Sequence, residues 1–325
     1  MLKTIITSSF FLLLISHSTA YAEWFKADRA IMGTAIHVEL WHTNKDIAET
    51  NIQHVIDEMH RIDELMSPYK QNSEVSSINN NAAKHPVSIS IELFNLIKKS
   101  IHISELSKGA FDITFASVGY LYDYRHKNAP TKNEISKRIK SINYKNIQLD
   151  PDKHTIFFTR KNTRIDLGGI AKGHAVDNAI KLLQQQGIQQ AMVSAGGDTR
   201  IIGDKKGRPW YIGIRHPRNK KESAVILPLS NTAISTSGDY ERYFIKNNTR
   251  YHHIINPRTG DSARELRSVS ILGPNSTMTD ALSTTVFILG LNKGMKLVSS
   301  LKDIEAIIID NKGKMYYSTG LKPAR

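Results

Sequence analysis

Asp280 and Thr284 stand four residues apart in the run Thr279-Asp280-Ala281-Leu282-Ser283-Thr284. On a helix that spacing puts a carboxylate and a hydroxyl on one face. Both are hard oxygen donors, of the kind magnesium takes at about 2.0–2.1 Å. The same pair also serves plain structure, with Thr284 bonding back to its helix and Asp280 favouring the first turn. A second candidate is Arg164-Ile165-Asp166-Leu167-Gly168-Gly169-Ile170-Ala171-Lys172-Gly173-His174-Ala175-Val176-Asp177. An acidic residue closes an apolar run there, two glycines turn the chain, and a helical pattern opens. Amides left free at a helix start favour an anion, and Lys172 adds a cation one turn in. The stretch is no dinucleotide fingerprint, because the third glycine of G-x-G-x-x-G is missing. A Gly-Gly corner is also an ordinary tight turn. Third, His252 and His253 precede the turn Asn256-Pro257-Arg258-Thr259-Gly260. A near-neutral imidazole can accept a proton, although among 13 histidines one position alone says little.

The elements that must hold these groups follow from periodicity. Alternation of Ile36, Val38 and Leu40 makes 35–41 a strand. Ile52, Val55, Ile56, Met59, Ile62 and Leu65 make 46–66 an amphipathic helix stopped by Pro68, with Tyr69 in a polar loop running to Asn81. A second helix covers 91–107 and ends at Gly109. After Gly169, the apolar positions Ala171, Ala175, Val176, Ala179, Ile180 and Leu183 keep one helix face buried. Strands are expected at 155–159, 164–167, 190–194, 210–215, 231–235, 240–244, 252–255 and 268–272. A last helix begins near Thr279, and a hairpin joins 306–309 to 315–318 through Asn311-Lys312-Gly313. Strands and helices do not alternate strictly, so α+β is favoured over a doubly wound α/β sheet. No repeat, low-complexity tract or linker divides the chain, and 23–325 reads as a single domain.

Composition narrows the class. Hydrophobic content of 40% and charge of 23% fit a soluble globular protein. Lys3, the apolar run 5–15 and Ala20-Tyr21-Ala22 form a secretory signal peptide over residues 1–22. The chain has no cysteine, which excludes disulfides, thiolate metal sites and lipid attachment at an N-terminal cysteine. The expected location is therefore the periplasm, as a soluble protein with no stable membrane anchor. The net charge is +14, and loss of Lys3 lowers it by one. The lysines and arginines are scattered and no recognition helix or RNA-binding signature accompanies them, so no nucleic-acid partner is expected. The milder consequence is a bias toward an acidic partner protein.

Eight segments then fall in one order: Met32-Gly33-Thr34; Met66-Ser67-Pro68-Tyr69; Gly109-Ala110-Phe111-Asp112-Ile113-Thr114; Asp166 to Asp177; Ser194-Ala195-Gly196-Gly197-Asp198; Thr236-Ser237-Gly238-Asp239-Tyr240; His253-Ile254-Ile255-Asn256-Pro257-Arg258-Thr259-Gly260; and Thr279 to Thr284. From about Met32 to Ile307-Ile308-Ile309-Asp310 this closely resembles the ApbE family, the FAD:protein FMN transferases. The resemblance implies a single ApbE-like domain related to the T-fold. It implies FAD as substrate and Mg2+ held by Asp280, Thr284 and the backbone carbonyl of Gly169. It carries Met32, Tyr69, Ala110, Phe111, Asp112, Asp166, Lys172 and Ile254 over as FAD contacts, and His253 as the candidate base. Tyr69 offers a ring for stacking, Met32 a polarizable side chain, and Lys172 a charge for the pyrophosphate.

The implied reaction is Mg-dependent transfer of FMN from FAD to a Thr or Ser hydroxyl of a target flavoprotein, with release of AMP. The partner would be the acceptor flavoprotein subunit of a redox complex, carrying a flavinylation motif of the type Asp-Gly-x-Ser/Thr-Gly-Ala-Thr/Ser. This chain contains no such sequence. Two alternatives stay open from the residues: a FAD pyrophosphatase giving FMN and AMP, and a non-catalytic periplasmic flavin-binding protein. Two departures from the family wording stand out. The segment 115–124 lacks the usual Val-Gly-Pro-Leu, and Asn256 replaces the usual Asp.

The signal pattern generates a first prediction. Intact-mass analysis of the exported protein should show a mature chain starting at Glu23, within a residue or two. A product retaining Met1, or found mainly in membranes, would contradict it.

Overall fold

The computed structural model describes residues 23–321, and the expected signal peptide lies outside them. In chain order the first elements are β1 (Glu23–Ile31), β2 (Thr34–His42), α1 (Lys45–Met66), α2 (Glu74–Asn81), β3 (Val87–Ser88), α3 (Ile91–Leu106), α4 (Ala116–Gly119), α5 (Lys132–Arg138), β4 (Ile147–Asp150) and β5 (Thr155–Phe158). Then come α6 (Ala171–Gln185), β6 (Ala191–Ala195), β7 (Asp198–Ile202), β8 (Trp210–Arg215), β9 (Ser223–Leu229), β10 (Ala233–Gly238), β11 (Tyr243–Lys246), β12 (Thr249–His252), β13 (Leu266–Gly273), α7 (Ser276–Ser299), β14 (Glu305–Asp310) and β15 (Met315–Tyr317). Eight strands form one sheet in the order β1-β2-β6-β7-β10-β13-β14-β15, and every pairing is antiparallel. Helices α1, α6 and α7 pack against it, α1 on β1 and β2, α6 on β6 and β7, α7 on β10 and β13. An antiparallel sheet covered by helices is the expected α+β class.

Periodicity explains the layers. All six apolar positions expected on the α6 face are buried. In β10 the side chains alternate. Ile234 packs under the β8–β9 hairpin with Ile214, Leu272 and Ile307, while the Ser235 hydroxyl bonds that of Thr279 on α7. Among the described residues no helix is long and apolar enough to cross a membrane.

Three expectations need correction. The strand expected at 252–255 stops at its first residue, because β12 ends at His252 and Ile255 makes only an isolated bridge to Ser262. Residues 164–167 are not a strand: their backbone is held by side chains and by the bond from Asp166 N–H to the Ile113 carbonyl, not by a ladder. Asn79 both donates to the Ile165 carbonyl at 2.9 Å and accepts from its amide at 2.7 Å, and Arg164 N–H donates to the Ser117 hydroxyl. The polar loop expected up to Asn81 contains α2, capped by the Ser73 hydroxyl accepting from Ser76 N–H. Val75 and Ile78 are the apolar residues that seat it, too few to give a readable stripe.

The crossing of α6 and α7 sets the position of Asp280. A Cβ on Gly173 would fall 2.2 Å from the Ser276 carbonyl oxygen and 2.8 Å from the Asp280 Cβ. Only a glycine lets the two helices approach this closely. One turn on, Asp177 accepts from the Ser276 and Thr277 amides, both at 2.8 Å, and so caps the start of α7 from outside. On its outer side α6 is tied to α1 and α3 through Glu58, Arg61, Glu92, His174 and Asn178. Burial opposes charge on Glu92, yet its bonds from Arg61, His174 and Asn178 hold its carboxyl at about 2.

Gly173→Ala should therefore force the helices apart and destabilise the fold by about 2 kcal/mol or more. Urea unfolding monitored by circular dichroism would measure it. A midpoint equal to that of the unsubstituted chain would mean that the crossing has slack.

Candidate active site

Three charged side chains meet where α6, α7 and the β6–β7 turn converge. Lys172 Nζ lies 3.1 Å from Asp198 Oδ2 and 3.7 Å from Asp280 Oδ2, and donates to the Gly168 carbonyl at 3.0 Å. Asp280 also accepts from the Gly173 amide at 3.0 Å. The anion expected at the α6 start is thus supplied from within the protein, by α7. Burial first, and then the charge of Asp198, push Asp280 up to about 7. Burial works against the Lys172 ammonium, but Asp198 and Asp280 outweigh it and hold its pKa above the ordinary value. Asp198 occupies the first position of β7 because Gly196 (φ +65) and Gly197 turn the chain tightly before it.

Around this cluster the oxygen donors are hard and neutral. A Cβ on Gly169 would lie 3.4 Å from Thr284 Oγ1 and 3.4 Å from the Phe111 ring, so the Gly169 backbone sits directly against the threonine. Thr284 Oγ1 is 3.2 Å from the Ser237 hydroxyl, which also bonds Ser283 at 2.7 Å. Among the described residues no three His, Cys, Asp or Glu side chains form a metal cluster. A cation here would draw on mixed ligands instead. The donor set fits a hard divalent ion: one buried carboxylate, a hydroxyl and a neighbouring backbone, with Asp198 adding charge that a single lysine does not neutralise.

The rim is built from the other segments. Asp166 Oδ1 accepts from the Gly168 amide at 2.7 Å, and burial raises its pKa. Met32 and Gly33 join β1 to β2 as a two-residue turn with both residues at positive φ, +56 and +68. That geometry normally takes Asn-Gly or Gly-Gly. A methionine there costs about 1 kcal/mol, which makes it a strained residue at the site. Tyr69 is 76% exposed, and its hydroxyl accepts from Arg242 at 3.3 Å. His253 N–H donates to the Arg242 carbonyl, and His253 Nδ1 is buried with no hydrogen-bond partner. Burial, then His252, Arg242 and Lys172, bring His253 down to about 3. At neutral pH its ring is uncharged.

The remaining sequence candidates sit deeper. Ala110, Phe111 and Ile254 are buried core residues. The Asp112 carboxylate is wholly engaged in structure, accepting from Thr114 N–H and hydroxyl and from Tyr144 N–H. Burial raises its pKa. Its Oδ1 accepts two of these bonds and its Oδ2 one. Lys172, expected to meet the pyrophosphate, lies beside two carboxylates. Sequence reasoning assigned no role to Asp198, Ser237 or Arg242. The first two lie inside segments it singled out, and an acidic residue straight after a Gly-Gly turn was the available signal.

The ApbE family model matches residues 32–308. The FAD:protein FMN transferase of Haemophilus influenzae is 32% identical over 279 residues, covering 82% of this chain and 81% of that protein. The protein of the same name from Vibrio cholerae is 30% identical, covering 96% of each. Among solved structures, the ApbE protein of Thermotoga maritima superposes with a TM-score of 0.85 at 32% identity, covering 92% of this chain and 98% of that one. The flavin transferase ApbE of Vibrio cholerae gives 0.83 at 28% identity, covering 94% and 100%.

His252, next to the site, gives a pH prediction. It is 2% exposed, its Nε2 donates to the Ala263 carbonyl, and its Nδ1 accepts from Ile254 N–H at 3.3 Å. Both ring nitrogens are thus used in the neutral form, and burial brings the pKa to about 4. An unfolded histidine takes up its proton near 6.5. Between these values the unfolded state binds more protons, so stability falls as pH drops from 6.5 to 4. The loss is on the order of 3 kcal/mol. His252→Gln should flatten this part of the stability profile in urea titrations. A profile unchanged by the substitution would show that His252 does not drive it.

Proposed function

The chain belongs to the ApbE family, and from that premise we propose that it is a FAD:protein FMN transferase. It takes FAD and joins FMN to a Thr or Ser hydroxyl of a separate acceptor flavoprotein, releasing AMP. The observation that carries this reading is the convergence of Gly169, Asp280 and Thr284 at one point, with Lys172 and Asp198 beside them. These are the oxygen donors that the family resemblance implies for Mg2+. When bound, the metal supplies charge neutralisation on the pyrophosphate.

The residues divide the work. Asp280, Thr284 and the Gly169 carbonyl hold the metal, and Lys172 keeps the two carboxylates from repelling each other when it is absent. Tyr69, Met32 and Asp166 line the rim where the flavin is received. His253 accepts the proton of the acceptor hydroxyl as its oxygen bonds the flavin-side phosphorus. The bond from that phosphorus to the bridging oxygen breaks, and AMP leaves with the electron pair. The unpartnered Nδ1 of His253 supports this role, since no other group competes for it. The acceptor is proposed to be a subunit of a redox complex, and the enzyme to work in the periplasm after loss of residues 1–22.

AMP release and in-gel flavin fluorescence, followed with FAD, magnesium and an acceptor domain, test the reading. Asp280→Ala should abolish magnesium-dependent turnover, and excess magnesium should rescue it poorly. Thr284→Ala, which loses a neutral ligand that water can replace, should be partly rescued. His253→Ala should still bind FAD but release AMP about a hundredfold more slowly. AMP without a fluorescent acceptor would point to hydrolysis instead, and near-normal turnover in His253→Ala would remove the base assignment.

A further inference from the structure

Arg242 follows β10 by four residues and stands in none of the eight segments that carry the resemblance. Its neighbours on the chain find acidic partners: Arg218 and Arg250 pair with Asp239, and Arg264 with Asp261. Arg242 has no carboxylate partner among the described residues. Its one side-chain bond is to the Tyr69 hydroxyl. The guanidinium reaches across to the β1–β2 turn, with NH2 4.0 Å from the place a Gly33 Cβ would take. Its carbonyl accepts from His253 N–H, so the same residue is fixed to the backbone of the candidate base. Its charge also lowers the pKa of both Asp166 and His253, after burial and other groups have acted. Arg242 is therefore an exposed cation with no carboxylate partner among the described residues, its guanidinium set against Tyr69 and Gly33 and its backbone carbonyl holding His253.

Lys172 cannot fill that place in this arrangement. Its ammonium is shared between Asp198, Asp280 and the Gly168 carbonyl. A planar guanidinium, by contrast, presents a fork of donors that matches two phosphate oxygens. We propose that Arg242 is the residue that grips the pyrophosphate of the flavin nucleotide at the mouth of the site. This rests on the FAD reading above. It also gives Tyr69 a second task, since the Tyr69 hydroxyl braces the guanidinium at the rim.

Flavin fluorescence titrations of the full chain without added metal separate charge recognition from ring recognition. FAD and FMN carry phosphate and riboflavin carries none. Arg242→Ala should weaken FAD and FMN by about ten- to a hundredfold and leave riboflavin within about twofold, as expected for loss of charge-assisted bonds. The loss should shrink as salt is raised, and Arg242→Lys should recover part of it. Parallel weakening of riboflavin would overturn the proposal in favour of stacking on the ring. A loss of equal size in Tyr69→Phe, which removes only the accepting hydroxyl, would overturn it in favour of a bracing role. Tight FAD binding by the unsubstituted chain with no change in Arg242→Ala would sink the arginine's role and leave the FAD reading standing. Failure of the unsubstituted chain to bind FAD would sink both.

Discussion

A buried pair of carboxylates facing one lysine is the interaction on which the rest of the structure depends. Asp198 and Asp280 are 2% and 3% exposed and share the ammonium of Lys172. Removing two like charges from water is costly, and leaving either unpaired costs about 3–5 kcal/mol. The fold meets this by bringing three distant segments to one point. The Gly196-Gly197 turn delivers Asp198, the α6–α7 crossing at Gly173 delivers Asp280, and the first turn of α6 delivers Lys172 and an amide. Asp177 then fixes the start of α7, and the Glu58–Arg61–Glu92 network fixes α6 from behind. Much of the polar structure around α6 thus serves one small charged centre.

The shape of that centre also explains why it would welcome a cation. Asp280 lies near 7 because burial disfavours its charge and Asp198 adds to the penalty, which one ammonium only partly offsets. A divalent ion between Asp280, Thr284 and the Gly169 carbonyl would add the missing positive charge, and Lys172 could remain with Asp198. The same logic would make Asp198 a supporting residue, holding the lysine if Asp280 turned to an ion.

What the sequence made legible follows from how local each signal is. The α6 face was readable because six apolar residues repeat with helical period and all are buried. Asp280 and Thr284 were readable because a four-residue helical spacing survives any tertiary context. The segment 164–167 reads as a strand because of its extended, apolar pattern, while its partners are the side chains of Asn79 and Ser117 and the Ile113 carbonyl, all far away in sequence. Strand β7 was missed because Thr199 and Arg200 interrupt the alternation, and helix α2 because Val75 and Ile78 are its few apolar anchors. The engagement of Lys172 by Asp198 was invisible for a different reason. A lysine next to a Gly-rich corner says that a cation is present, but not which anion already holds it. Arg242 carried no local pattern at all, and its neighbours Gly33 and Tyr69 come from two separate segments.

The uncharged His253 is the last point on which the proposed chemistry turns. Burial is the largest cause of its low pKa, and a pKa near 3 makes a weak base at neutral pH. Two further causes are the cations Arg242 and Lys172. A pyrophosphate held by Arg242 would cancel part of that field and add its own negative charge. Unit charges ~5 Å apart at an effective dielectric of about 20 attract by ~3 kcal/mol, or about two pKa units. A bound anion would therefore raise the His253 pKa against the part of the shift that the cations cause, while burial continues to hold it down. On the proposed reading, the imidazole becomes a stronger base when the substrate's phosphates arrive than it is in the empty site. Proton uptake is thereby tied to the presence of the phosphorus that the acceptor oxygen attacks.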